Sequence, residues 1–441
     1  MSDEKKKILS SLITLSIPTI LEEVLRTLLQ YVDTAMVGHL GQRATAAVST
    51  TTTINWLVYS LPYAVEIGIM ALAAKSYGAK DFKQVKRITS QGLYLFLITG
   101  GVLTALCLFL SPFIPIWMGA ETAIQRDASV YFFIISIPLV LRMMNAVFGG
   151  LIRATKDTKT PMIINLLANI LNALLNAFFI YGLNLGVTGA AIASLIAYSL
   201  SGVAMIYLAV RRGWLCLWDK DLMRWDSGIV SETMRISVPA IGTSVASCLG
   251  YVFFAGMVSG MGTETFAAHS IAVTAEELFY MPGYGLRVAT SSLVGNALGE
   301  GDRRKQDLTE RISIRMTVIG MFMSGLILFL VSTPLMHLFT IDAGVAELGA
   351  GMLRMIAFTE PLFGLMVVIE GIFYGQGKTK GVFIVETCSM WGIRILPTWF
   401  VTHVFGLSLR EVWYCMIADN VCKAVLLLVI YLYGRRREKH T

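Results

Sequence analysis

Apolar residues run along this chain in twelve long stretches parted by short polar connections, at 12–36, 46–74, 88–111, 127–151, 161–181, 187–210, 234–259, 266–297, 314–335, 346–374, 381–405 and 411–433. A bilayer core about 30 Å thick takes about 20 apolar residues per helix. Within it each backbone N–H and C=O must be satisfied inside its own segment, which selects the α-helix. The pattern therefore predicts an all-α integral membrane protein with twelve transmembrane helices. The first stretch carries Pro18, Glu22, Glu23, Arg26 and Asp33, unlike the short apolar core of a cleaved signal, and is read as an uncleaved first span.

Composition agrees. Of 441 residues 55% are hydrophobic and 15% charged, against roughly 25% charged in soluble proteins. That balance excludes a soluble enzyme, a disordered scaffold and a nucleic-acid binder, in spite of a net charge of +7. The charge has a topological use. Of 36 Lys and Arg, 27 fall in one set of connections, from Lys5 through Arg153 and Arg303 to Lys439, while the alternate set holds Arg43, Arg126 and Arg410. Positive-inside bias then places both termini in the cytoplasm. Cys107, Cys216, Cys248, Cys388, Cys415 and Cys422 form no CxxC pair and read as small core residues.

The sequence also repeats. A shift of 221 residues, the distance from Ser16 to Ser237, lays Ser16-Ile17-Pro18 on Ser237-Val238-Pro239, Gly41 on Gly262, Ala46-Ala47 on Ala267-Ala268, Asp81 on Asp302 and Gly150 on Gly371. Two homologous six-helix lobes are expected, at 1–210 and 233–441, with a cytoplasmic linker at 211–232. An even number of spans per copy gives both the same orientation, related by a pseudo-twofold axis along the membrane normal. Parallel repeats of this kind occur in secondary transporters, with the substrate site between halves.

An ionisable group at membrane depth is costly unless paired or facing a cavity. Asp33 has no base at i±3 or i±4, so it is solvated, cation-bound or protonated, or else held by a buried interhelical hydrogen bond. The fifth span carries Asn165, Asn169, Asn172 and Asn176, spaced to share one helix face. Such an amide stripe either coordinates a monovalent cation or bonds neighbouring helices. In the second half Glu276, Glu277 and Tyr280 precede Met281-Pro282-Gly283, and Glu360, Glu370 and Glu386 follow. Asp419 and Lys423, four apart on the last span, are expected to neutralise one another.

Glu66 and Arg287 are separated by the repeat distance yet carry opposite charge. They either meet across the pseudo-twofold axis and latch one conformation, or take separate local partners.

The chain resembles the MATE (multidrug and toxin extrusion) transporters. The resemblance is carried by Val32-Asp33-Thr34-Ala35-Met36-Val37-Gly38-His39-Leu40-Gly41, by Gly150 through Pro161, by Gly186 through Ser194, and by Ala267-Ala268-His269 with Met281-Pro282-Gly283. It implies two lobes and cation-driven efflux of amphipathic, often cationic, organic compounds. It also implies an N-lobe ion site in which Asp33 and Asn172 match the family pattern, as a possible Na⁺ site, while Asn176 stands where an Asp is usual and Ser194 where a Thr is usual. That leaves one carboxylate in place of two and the choice between Na⁺ and H⁺ open. A second ion site found in one branch needs a seventh-helix glutamate where this chain has Ser247, and it is not carried over. Glu276 is the C-lobe candidate, with Tyr280 beside it, and Glu66 and Arg287 are candidates for gating.

The expectation is an inner-membrane antiporter, acting as a monomer on small organic molecules, with Na⁺ or H⁺ as coupling ion, no cofactor and no nucleic-acid partner. A lipid-linked oligosaccharide flippase of the same broad superfamily is the alternative, although such proteins often have fourteen spans and a strongly basic cavity. A membrane-embedded enzyme would need a motif such as HExxH or GxSxG, and neither occurs.

Overall fold

The computed structural model describes residues 3–440, with side chains for 3–437. Among them every regular element is helical. In chain order these are α1 (Asp3–Gly38), α2 (Gln42–Gly78), α3 (Phe82–Leu110), the short α4 (Ile114–Trp117), α5 (Thr122–Ser136), α6 (Leu139–Ala154), α7 (Lys159–Asn176), α8 (Gly186–Arg211) and the short α9 (Lys220–Met223). Then come α10 (Ser227–Ser259), α11 (Thr263–Gly299), α12 (Arg303–Phe339), α13 (Ala343–Ala357), α14 (Glu360–Gly375), α15 (Thr379–Ser389), the short α16 (Leu396–Trp399) and α17 (Leu409–His440). Wider π-helical turns extend α7 over Ala177–Gly182 and flank α16 over Met390–Ile395 and Phe400–Val404.

All twelve expected spans have helical counterparts. Eight single helices are long and apolar enough to cross a membrane, and the pairs α5–α6 and α13–α14 pass together. The two remaining spans lie on α11 and on the stretch from α15 to the last π turn. Two expected continuous spans are broken. The chain bends by 45° between α5 and α6 and by 55° between α13 and α14, where Pro138 precedes α6 and Pro361 sits in the first turn of α14. Proline removes a backbone donor and clashes with the preceding turn.

The repeat is written into the backbone. Asp81 caps α3 by accepting from the Gln84 N–H at 2.9 Å, and the equivalent Asp302 caps α12 through the Lys305 N–H at 2.9 Å. Gly41 and Gly262, equivalent positions ahead of α2 and α11, have φ of 100° and 115°. Only glycine adopts that conformation without strain. Exposed apolar stripes also coincide. Ile98, Val102 and Phe109 on α3 match Ile319, Met323 and Leu330 on α12, each at least 49% exposed, as suits surfaces that face hydrocarbon.

Compact packing does not follow the sequence halves. One unit comprises Leu25–Ile241 with Leu298–Gly301; the other takes the segment up to Val24 with Gly242–Ala297 and the chain from Asp302 onward. Both α1 and α10 are thus divided near repeat-equivalent points. In the second unit α1 lies tight against α11, where Thr19 Oγ1 donates to the Gly285 carbonyl at 2.8 Å and a Cβ on Gly285 would stand 2.6 Å from the Ile20 nitrogen. In the first, the linker is pinned to α3 by Gln91, which donates to the Arg224 carbonyl at 2.8 Å and accepts from the Asp226 N–H at 3.0 Å. Of the cysteines Cys107 and Cys248 are buried, whereas Cys388 is exposed and is no core residue.

Candidate functional site

The first unit gathers Asp33 from α1, Asn172 and Asn176 from α7 and Ser194 from α8. Asn176 Nδ2 donates to Asp33 Oδ1 at 2.8 Å. The Asn172 amide is fixed by what it faces: its nitrogen donates to Asp33 Oδ2 at 2.8 Å and Oδ1 at 3.2 Å, and its oxygen accepts from the Ser194 N–H and hydroxyl, both at 3.1 Å. Asn172 and Asn176 are each 2% exposed, and the i, i+4 spacing presents both amides to one carboxylate. No base pairs with Asp33 among the described residues.

Two details bear on ion binding. The Asn176 carbonyl oxygen is buried and has no hydrogen-bond partner, so an acceptor stands beside the carboxylate without a donor. Immediately after Asn176 the helix widens into the π turn Ala177–Gly182, a distortion frequent at functional sites. Below it Val37, Ile180 and Ala190 form a small core with Tyr131 packed against it. Among the described residues no three His, Cys, Asp or Glu side chains cluster as a metal site; the oxygens on offer come from one carboxylate, two amides and a hydroxyl, which suits a proton or a hard monovalent ion.

At Asn165 the asparagine stripe bonds helices together. Asn145 Nδ2 on α6 donates to Asn165 Oδ1 at 2.9 Å and to Ser201 Oγ at 3.1 Å. Sequence reasoning missed Arg142, one turn before Asn145. Its guanidinium lies over the rings of Tyr59 and Tyr198, 3.4 Å and 4.0 Å from their centroids. The available signal was a base at membrane depth, which the count of loop charges passed over.

Glu66 and Arg287 are each engaged inside their own unit. Arg153 on α6 reaches Glu66 at 2.8 Å, and Arg287 reaches Glu370 on α14 at 2.7 Å. The polarity is reversed between repeats: acid on α2 and base on α6 in one, base on α11 and acid on α14 in the other. Arg287 also lies 4.4 Å from the Tyr284 ring centroid, and Tyr284 packs edge-on against Tyr280 and Phe363. Tyr280 is therefore part of an aromatic cluster beside that ion pair.

Asp419 and Lys423 do pair, at 3.2 Å, but within a larger buried network. Arg394 joins Asp419 at 2.8 Å, Glu386 joins Lys423 at 3.0 Å, and Ser389 Oγ donates to Asp419 at 2.6 Å. Glu276 is 8% exposed and lies within the field of Arg394; Glu360, 2% exposed, has a buried Oε2 without a partner. Nearby Trp413 Nε1 donates to His269 Nδ1 at 3.2 Å, a core contact.

A multi-span chain, helical throughout its described residues and built from two sequence repeats, with an acid in its first span met by amides, belongs to the class of integral membrane transporters. The chain is a member of the MatE family, which matches at residues 18–178 and 239–400, two copies set apart by the repeat distance read from the sequence. It is 28% identical over 439 residues to a probable multidrug resistance protein NorM of Thermotoga maritima, covering 98% of this chain and 94% of that protein. It is 25% identical to the multidrug export protein MepA of Staphylococcus saprophyticus, covering 98% and 96%. A crystal structure of a mutant of the Vibrio cholerae MATE transporter VcmN has the same fold, with a TM-score of 0.91 at 18% identity, covering 98% of each chain.

Proposed function

We propose that this protein is a cation-coupled antiporter that exports amphipathic organic compounds by alternating access, with Asp33 as the coupling carboxylate. The observation that carries the reading is the orphaned carbonyl of Asn176 beside an acid without a counter-ion. As described, the Asn172 and Asn176 amide N–H groups both donate to the Asp33 carboxylate. A protonated Asp33 must itself donate, and a bound Na⁺ must be met by oxygens. Protonation calls for one amide carbonyl of Asn172 or Asn176 to turn toward Asp33 and Na⁺ for one or both, so ion binding is read out by α7 at the foot of its π turn. Where Asn172 turns, Ser194 would accept from the Asn172 nitrogen at 3.1 Å instead of donating to its oxygen, so the hydrogen bond to α8 reverses its sense while the Ser194 N–H loses its acceptor.

Ion and organic substrate are coupled when each favours a different state or competes for the same carboxylate, and that coupling is reciprocal. Na⁺ or H⁺ is cargo here, and the scheme needs no cofactor. Loop charge favours a bacterial-type plasma membrane with both termini cytoplasmic, and nothing in the scheme calls for more than one copy or for nucleic acid. The multidrug names of the relatives favour this reading over lipid-linked oligosaccharide flipping. The test is efflux of a fluorescent dye from proteoliposomes under imposed Na⁺ and pH gradients. Asp33→Asn abolishes gradient-driven movement; driven efflux that persists in this variant refutes the assignment, and the gradient that drives the parent protein names the ion.

A further inference from the structure

Arg142 is built into a clamp. Its guanidinium lies over the rings of both Tyr59 on α2 and Tyr198 on α8, 3.4 Å and 4.0 Å from their centroids. Stacking satisfies the faces of the group, but its five N–H donors lie in the plane and point outward from the edge. Among the described residues no hydrogen bond or ion pair reaches those donors. Other bases within the spans have polar partners: Arg287 pairs with Glu370, Arg394 with Asp419 and Lys423 with Glu386, and Arg354 donates to the hydroxyls of Ser332 and Thr333. A half-buried guanidinium with open donors is held ready for an anion that the chain itself does not supply.

Register places this clamp next to the coupling acid. Ser194, Tyr198 and Ser201 share one face of α8; Ser194 bonds Asn172, Tyr198 stacks on Arg142, and Ser201 accepts from Asn145. On the antiparallel α7 the matching order is Asn172, Asn169, Asn165. Arg142 therefore sits about 6 Å along the helices from the Asp33 cluster, one turn away, at the level of Asn169. Asn169 is half-buried and also has no hydrogen bond among the described residues. Were Arg142 the counter-ion of Asp33, the two would pair; instead the acid takes amides and the base takes rings.

We infer that Arg142, held over the rings of Tyr59 and Tyr198 at the level of Asn169, is a subsite for the carboxylate of an organic substrate, so that the preferred cargo is a zwitterionic amphiphile rather than a simple organic cation. The inference rests on the transport reading above and narrows it. A planar guanidinium edge accepts a carboxylate through two parallel hydrogen bonds, and the Asp33 carboxylate one turn away draws the cationic end.

The experiment uses the purified full-length protein in detergent and two probes, a rhodamine with a free benzoate and its methyl ester, which differ by the carboxylate alone. Fluorescence polarisation is expected to show the free acid binding about tenfold tighter than the ester, the worth of a charge-assisted hydrogen bond. Arg142→Gln removes that preference, with the free acid losing affinity relative to the ester. Arg142→Lys, which keeps the charge and loses the fork, gives an intermediate preference and serves if the Gln variant melts early. Wild-type protein that fails to prefer the acid, or an Arg142→Gln variant that weakens both probes equally, overturns the subsite. A preserved acid preference together with no gradient-driven efflux in proteoliposomes overturns the transport reading and leaves the subsite standing.

Discussion

Gly150 and Gly371 are equivalent positions of the two repeats, and each is kept bare by a charged residue of the preceding buried ion pair. A Cβ on Gly150 would lie 2.5 Å from Glu66 Cγ, whereas one on Gly371 would lie 2.7 Å from the Arg287 carbonyl oxygen and 3.1 Å from its Cγ. The obstacle at Gly150 is a side chain and that at Gly371 is partly backbone, so the two alanine variants should differ. Gly371→Ala is expected to destabilise by about 1–3 kcal/mol through overpacking. Gly150→Ala is expected to cost less, because Glu66 can shift at some loss to its bond with Arg153. Thermal unfolding of both variants in one detergent checks the order, and a larger loss at Gly150 contradicts it.

Asn176→Asp sets a second carboxylate where the amide now donates to Asp33 at 2.8 Å. Two carboxylates at that distance do not both ionise, and the pair holds a proton to higher pH than either acid alone. The pH profile of efflux is expected to move alkaline by roughly one unit or more. Measuring initial efflux rates over a pH series in the two proteins decides it; an unmoved profile removes Asp33 and Asn176 from the coupling step.

How much of this was legible beforehand depended on the range of the signal. Helix number and repeat are carried by long averages of hydropathy, and these hold although Pro138 and Pro361 break two spans. The Asp33 cluster was legible because i, i+4 spacing on α7 is local and the motif on α1 is specific. Unit boundaries inside α1 and α10 were not, since they depend on which distant helix each half packs against. Arg142 was missed for the same reason: its meaning lies in Tyr59 and Tyr198, far apart in sequence and without charge. The partners of Glu66 and Arg287, on α6 and α14, likewise follow from packing and not from the repeat distance that drew attention to them.

Asp157, in the connection between α6 and α7, gives a pH test outside the spans. Partial burial pushes its carboxyl up, but hydrogen bonds from the Thr160 hydroxyl at 2.6 Å and N–H at 3.0 Å, with Arg212 at 2.6 Å, outweigh that and hold it below the ordinary range. A folded-state pKa below the unfolded one adds stability above the unfolded value, about 3.9 for Asp, and that contribution is lost as pH falls through the folded value. Asp157→Asn is therefore expected to lower stability at pH 7 by less than about 1 kcal/mol, given the partial exposure of the pair. Melting temperatures of parent and variant should converge as pH falls below about 4; a gap that widens on acidification contradicts the sign.

Gly41 isolates backbone strain from packing. It has φ 100° and ψ 174° ahead of α2, and a Cβ there would meet nothing within 4 Å. Alanine would find space but a conformation reserved to glycine, so Gly41→Ala is expected to cost about 1–3 kcal/mol. The equivalent Gly262, with φ 115° and equally open surroundings, should behave alike. Lys80 supplies the contrast: it already sits at φ 60°, where the other repeat has Gly301 at 71°, and Lys80→Gly relieves a left-handed side-chain clash of about 1 kcal/mol against a similar gain in unfolded-state freedom. Unfolding measurements should thus find both alanine variants well below the parent and Lys80→Gly close to it. Alanine tolerated at Gly41 and Gly262 would mean that these turns relax to an ordinary conformation at little cost.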